Sequence, residues 1–290
     1  VAKGMSITLV AFGHSHLVAM SPEAATLNRV FGLFRMPFFF FMSGLFFPAA
    51  KPLGTLLRDK SDALLKPYFV TLGLVVLVRV CLDGASLSAQ LPRILYGVGT
   101  AIDMPWAPMW YLAHLWLVFP YARGLVWLRT VTGLPQWAAA ALLVLHTVLG
   151  FSYIGLFKNV PIALGDMQTA LDGLPFSLDL LGISTTYFLL GHTLRDRVER
   201  FRPNPGLVAM LLVAVVGMNV AFHPQLDLNQ RTDLHPLVTT VCSFAGIYLA
   251  LSAAYAVNGS EPLAALFGFF GFNSLFVVIF HAYFDELWRG

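Results

Sequence analysis

The sequence predicts an all-α protein, a polytopic bundle of transmembrane helices with nine spans visible in 290 residues. Hydrophobic residues make up 58% of the chain and charged residues only 11%, with a mean hydropathy of +0.74. A chain of this size cannot hide so much apolar surface in a water-soluble core. Apolar runs near the length of a bilayer recur from one end to the other, and lysine and arginine alternate between the loops that separate them.

In order, the expected spans are Met5 to Met20, Val30 to Phe47, Pro67 to Leu82, Met109 to Tyr121, Gln136 to Ser152, Phe176 to Leu194, Gly206 to Phe222, Pro236 to Val257 and Leu263 to Leu287. The fourth is short if it ends at Tyr121, and Leu125 to Leu128 extend it to the usual length of about 20 residues. Between spans three and four, Leu87, Leu91, Ile94, Leu95, Val98 and Ile102 recur at helical spacing. That pattern predicts an amphipathic helix on the outer interface. No internal repeat, inverted pair of interrupted helices or low-complexity linker divides the chain, so one domain over 1–290 is expected. The opening on Val1 and an apolar run reaching almost to Gly290 suggest trimmed ends, and no cleavable signal peptide is expected.

Orientation follows from the basic residues. If the loop from Pro48 to Lys66 is cytoplasmic, the inside segments hold Lys3, Lys51, Arg58, Lys60, Lys66, Arg123, Arg129, Arg195, Arg197, Arg200 and Arg202, eleven in all. The outside segments hold five, Arg29, Arg93, Lys158, Arg231 and Arg289. The N-terminus is therefore expected inside. Asp166, Asp172, Asp227 and Asp233 fall in outward loops and read as solvated acids. The net charge of +3 is spread over separate loops, which gives no nucleic-acid surface. Cys81 and Cys242 stand alone, so neither a disulfide framework nor a metal site is expected.

Chemistry is suggested by ionisable groups inside apolar runs. Arg35 sits in VFGLFRMPFFFFMSGLFF, Val30 to Phe47, ahead of Pro37, the block Phe38 to Phe41, and Ser43-Gly44. A cation at a helix centre costs roughly 2.5 to 3.5 kcal/mol on insertion scales, so it usually faces protein or a wet cavity. Snorkelling or a structural pair is the alternative for Arg35. His14 lies about 14 Å along span one from Met5, and His281 about 27 Å along span nine from Leu263. With Arg35, this puts three ionisable groups at similar depth on three helices. Taken singly, each histidine reads as a packing residue; taken together, they suggest a general base beside an oxyanion-stabilising cation.

Five segments stand in order along the chain: Lys3-Gly4 followed by His14, the Phe-rich run to Ser43-Gly44, Lys66-Pro67-Tyr68, Met109-Trp110-Tyr111-Leu112, and Gly271-Phe272-Asn273-Ser274-Leu275 followed by Phe280-His281. Together they resemble the acyltransferase-3 family of integral membrane O-acyltransferases. Lys3 stands where the family usually has arginine, and the Arg-x-x-Arg often seen before the Lys66 position is absent. The resemblance implies ten spans in the full-length protein. It also implies a multi-pass place in the bacterial inner membrane, and transfer of an acetyl or similar acyl group from cytoplasmic acyl-CoA to a hydroxyl of an extracytoplasmic glycan. Acyl-CoA would be a donor substrate, with no permanently bound cofactor.

On this basis His14 and Arg35 are the catalytic candidates. His281, Trp110, Asn273 and Ser43 are the substrate-binding candidates. Arg58, Lys60 and Lys66 are candidates for the CoA phosphates, although topology alone also accounts for these three cations. Direct transfer and transfer through a carrier or a partner acyltransferase both fit. Ser15 and Ser43 are weak candidates as nucleophiles, because serine in a span usually packs or bonds to backbone. The competing readings are a transporter or flippase of an anionic or glycan-linked substrate, and a structural membrane subunit.

Overall fold

The computed structural model describes residues 1–164 and 167–288; Asp166 and Arg289 lie outside the described residues. These residues are predominantly helical, with two short pairs of strands. The chain folds into two compact units, each assembled from separated segments.

The first unit comprises Val1–Phe47, Thr186–Asp227 and Asp233–Gly290. It holds α1 (Ala2–His14), α2 (Leu17–Met20) and α3 (Pro22–Gly44). The expected first span is thus shorter than its apolar run, because the helix stops at His14. The second starts earlier, at Ser21-Pro22, where the serine side chain accepts a hydrogen bond from Ala24 N and proline occupies the first turn.

Phe38, Phe39, Phe40 and Phe41 are all buried, so the phenylalanine block faces protein rather than lipid. Association inside a bilayer depends on close van der Waals packing and on small residues at crossings. Gly44 supplies one such crossing, since a Cβ there would lie 1.8 Å from the Phe188 carbonyl oxygen. Ser243 Oγ ties a further helix to α3 by donating to Leu33 O at 2.6 Å.

The second unit comprises Pro48–Thr185 and Leu228–Thr232. Here the expected basic loop from Pro48 to Lys66 is mostly helix. α4 (Leu53–Lys60), a π-helical turn (Ser61–Leu65) and α5 (Lys66–Leu82) form one run, Leu53–Leu82, of 30 residues. Trp116 Nε1 donates to Ser61 Oγ at 3.0 Å and anchors the π turn. α6 (Leu87–Tyr96) matches the expected amphipathic helix but ends before Ile102, because Gly97 takes a left-handed conformation at φ 69°. α7 (Trp110–Thr132) takes the longer of the two expected lengths, and α8 (Gln136–Tyr153) follows. The next loop contains an unexpected antiparallel hairpin, β1 (Val160–Leu164) and β2 (Met167–Leu171), with Val160 opposite Leu171.

Arg231 anchors this unit's separate short segment. Its Nε and Nη2 bond Asp179 at 2.9 and 3.1 Å, its Nη1 donates to the Leu228 and Asn229 carbonyls, and both side chains are fully buried. A buried pair whose remaining donors are satisfied avoids the large desolvation penalty of an unpaired charge.

α9 (Leu181–Glu199) begins in the second unit and continues into the first, where α10 (Pro205–Phe222), β3 (Leu226–Asp227) and α11 (Pro236–Asn258) follow; β4 is Thr232–Asp233. The expected ninth span is not straight. It is two helices, α12 (Glu261–Phe272) and α13 (Ser274–Leu287), bent by 91° about Asn273. By length and apolarity, four helices can cross a membrane among the described residues: Leu53–Leu82, Gln136–Phe157, Pro205–Phe222 and Pro236–Asn258. The bent pair makes a fifth if it counts as one span.

Candidate functional site

α1 organises the candidate site. Near its start Gly4 packs against α12, where a Cβ would lie 1.8 Å from Phe267 O, and a Cβ at Gly271 would lie 3.0 Å from Gly4 N. At its far end His14 meets His281 of α13, ring centroids 5.3 Å apart. Contact at both ends, with the same ten-residue interval on each chain segment, means that α1 and α13 run side by side in the same direction. The 91° bend at Asn273 turns α13 along α1. The depth expected for His281 from counting residues along a straight helix is therefore corrected. The histidines meet because the broken helix turns back along α1.

Arg35 joins them from α3. Its Nη1 donates to Asn28 Oδ1 at 2.7 Å, two turns earlier on the same helix. Gly13 leaves room for the guanidinium, since a Cβ there would lie 1.5 Å from Nη1. Asp227 acts on Arg35 through space, and Arg35, His281 and Asp285 act on His14 in the same way. Asp285 also accepts a hydrogen bond from His16 N at 2.8 Å, which pins the start of α2.

The His281 tautomer follows from its partner. Nδ1 lies 2.6 Å from Val277 O, and a carbonyl only accepts, so Nδ1 carries the proton. In the neutral ring Nε2 is then a lone-pair acceptor, and among the described residues it is buried with no protein hydrogen-bond partner. An unpaired buried acceptor is expensive unless a ligand group fills it.

The other candidates are placed differently. Ser43 is eight residues past Arg35 and Asn273 eight before His281, about 12 Å in each case. Ser43 Oγ donates to Phe39 O at 3.0 Å, Ser15 Oγ to Phe12 O at 2.8 Å, and Asn273 Nδ2 to Phe269 O at 3.0 Å at the helix break. Trp110 belongs to the second unit, where its ring lies 5.7 Å from that of buried His114. Also there, Lys60 Nζ sits 4.0 Å above the Phe119 ring, while Arg58 and Lys66 are exposed.

Two outward acids differ from the solvated reading. Asp227 acts on Arg35, and Asp233 accepts from His235 N and Thr239 Oγ1 at 3.0 and 2.8 Å. Burial pushes the Asp233 carboxyl above the usual aspartate range, against these two hydrogen bonds. Asp172, by contrast, is a half-buried loop residue that accepts from Asn159 N. No group of three or more His, Cys, Asp or Glu able to hold a metal ion occurs among the described residues.

Comparison with known families bears on what this constellation does. The family model described as an acyltransferase domain, Acyl_transf_3, matches residues 1–290. The chain belongs to the acyltransferase-3 family. It is therefore an acyltransferase that transfers groups other than aminoacyl groups, and its apolar helices make it a membrane protein. No curated protein and no solved structure matched it. Family membership decides for the acyltransferase against the transporter and structural-subunit readings.

Proposed function

We propose that this acyltransferase moves an acetyl or similar acyl group from cytoplasmic acyl-CoA to a hydroxyl of an extracytoplasmic glycan or related acceptor, with His14 as general base. The observation that carries the reading is the meeting of His14, His281 and Arg35 from three separate helices. In the transfer step His14 takes the proton from the acceptor hydroxyl as its oxygen attacks the acyl carbonyl carbon. The tetrahedral oxyanion is held by Arg35, the carbon–sulfur bond breaks, and the proton passes to the departing thiolate. His281 Nε2 accepts a second hydrogen bond from the acceptor and orients it. The same residues serve if the acyl group first crosses on a carrier or reaches a partner acyltransferase.

Asn273 and Ser43 are proposed as further acceptor-binding residues of the first unit and Trp110 as one of the second unit, with Arg58, Lys60 and Lys66 proposed to contact the CoA phosphates. No resident cofactor takes part, and the partners are the bilayer, the donor and the acceptor. The reading includes a single domain with nine spans, ten in the full-length protein, in a bacterial inner membrane with the N-terminus cytoplasmic. The helices less apolar than a lipid-facing span are then interior ones, and α3 with its buried phenylalanines fits that role.

The test is release of CoA thiol by purified full-length protein given acetyl-CoA or succinyl-CoA with crude glycan. His14→Ala should lower release about 10²- to 10⁴-fold, and Arg35→Ala about 10²- to 10³-fold. Both variants should elute like wild type in gel filtration. Wild-type release by folded His14→Ala would remove His14 from the mechanism.

A further inference from the structure

The second unit contains a cleft at the far end of the long helix Leu53–Leu82. It is small and open to solvent, walled by Leu72, Val75 and Val76 of α5, Ile94 of α6, and Trp106. Arg79, Arg93, Gln90 and Asp103 supply its polar groups. Both arginines bond to the same carboxylate: Arg79 Nη1 to Asp103 Oδ2, and Arg93 Nη1 to Asp103 Oδ1 at 3.1 Å. Two guanidinium groups against one carboxylate leave one net positive charge. Each guanidinium commits a single nitrogen to Asp103, and among the described residues its other donors have no side-chain acceptor.

Arg79 is three residues from the end of a helix long enough and apolar enough to cross a bilayer. It therefore lies close to the headgroup boundary, whichever way the helix is oriented. Leu74, Leu77, Val78 and Leu82 of α5, and Leu87, Leu91 and Leu95 of α6, are exposed beside it. A cationic cleft with unused forked donors, flanked by apolar surface at a membrane boundary, suits a ligand with an anionic head and alkyl chains. A guanidinium presents several N–H donors in a fixed plane, which matches phosphate oxygens.

We propose that this cleft binds the phosphate head of an anionic membrane lipid, held by Arg79 and Arg93, with its chains along the exposed leucines of α5 and α6. Asp103 holds the two arginines together while it competes with the phosphate for them. This site does not depend on the roles of His14, Arg35 or His281, and it can fail without disturbing them.

The experiment is native mass spectrometry of the full-length protein in detergent, titrated with phosphatidylglycerol, with zwitterionic phosphatidylcholine and with inorganic phosphate. Wild type should retain phosphatidylglycerol in preference to phosphatidylcholine, and inorganic phosphate at equal concentration should not displace it. Loss of both charges in Arg79→Gln/Arg93→Gln should lower phosphatidylglycerol retention about tenfold or more. Asp103→Asn removes the competing carboxylate and should raise retention, an outcome that does not depend on the double variant folding. Undiminished retention by a folded double variant would overturn the site. So would weakened retention in Asp103→Asn, or displacement by inorganic phosphate, which would make it a site for soluble anions.

Discussion

Gly13 decides where Arg35 can be. A methyl group at this position would overlap Nη1, 1.5 Å away. The atom it meets is the end of a flexible side chain, so the guanidinium would swing aside before α1 moved. Alanine is also favoured over glycine within a helix by about 1 kcal/mol. Gly13→Ala should therefore leave thermal stability unchanged or slightly raised while CoA-thiol release falls about 10- to 100-fold, the scale of a small misplacement of a catalytic group. Differential scanning fluorimetry alongside the release assay would show that split, and full activity would mean that the placement of Arg35 is unimportant. His14, Arg35 and His281 are legible in the sequence because ionisable groups within apolar runs carry a known penalty. Asn28 offers a weaker signal, its seven-residue spacing from Arg35 on one helix. Gly13, Asp227 and Asp285 give none, because their roles come from contacts between segments distant in the chain.

The approach of α1 to α12 fixes the relation of His14 to His281. At Gly4 an added Cβ would meet backbone, 1.8 Å from Phe267 O, and backbone in a helix cannot swing away. Gly4→Ala should push α1 off α12 and lower stability by about 1 to 3 kcal/mol, the usual range for overpacking. It should reduce transfer as well, since His14 moves with α1. Gly54→Ala, in α4 with nothing within 4 Å of the added atom, is the matched control and should be neutral or stabilising. Equal melting temperatures for the two variants would show that the crossing is not tight. α8, α10 and α11 lie within a residue or two of the boundaries expected from sequence, because each is one apolar run opened by proline at or just before its first position. The bend between α12 and α13 is invisible to hydropathy, which records apolarity but not direction. The first helical turns of Leu53–Leu82 are misread for a related reason: Arg58, Asp59 and Lys60 look like a loop, although a helix that leaves the membrane carries charges there.

The helices of the whole molecule divide by the solvent they face. α10 has Val215 as its one buried residue and presents nearly all of its surface to lipid, whereas α11 buries residues along most of its length. Both are apolar enough to cross a membrane, whereas α3, which carries Arg35 among buried phenylalanines, is not among the helices that meet that criterion. The run Leu53–Leu82 has 30 residues, about 45 Å of helix against a hydrocarbon core of about 30 Å. Along the membrane normal, roughly ten residues exceed that core, and the charged stretch around Arg58 is the part suited to water. In the proposed orientation, drawn from the excess of basic residues on that side, this stretch is cytoplasmic, and exposed Cys81, one residue from the other end, is at the outer face. A membrane-impermeant maleimide applied to intact cells should then label Cys81. A thiol introduced as Arg58→Cys in a Cys81→Ser background should react only after the membrane is permeabilised. Cys242 is buried and should stay unlabelled in both. The reverse pattern would invert the whole chain, moving His14 toward the cytoplasmic side and the proposed acceptor with it.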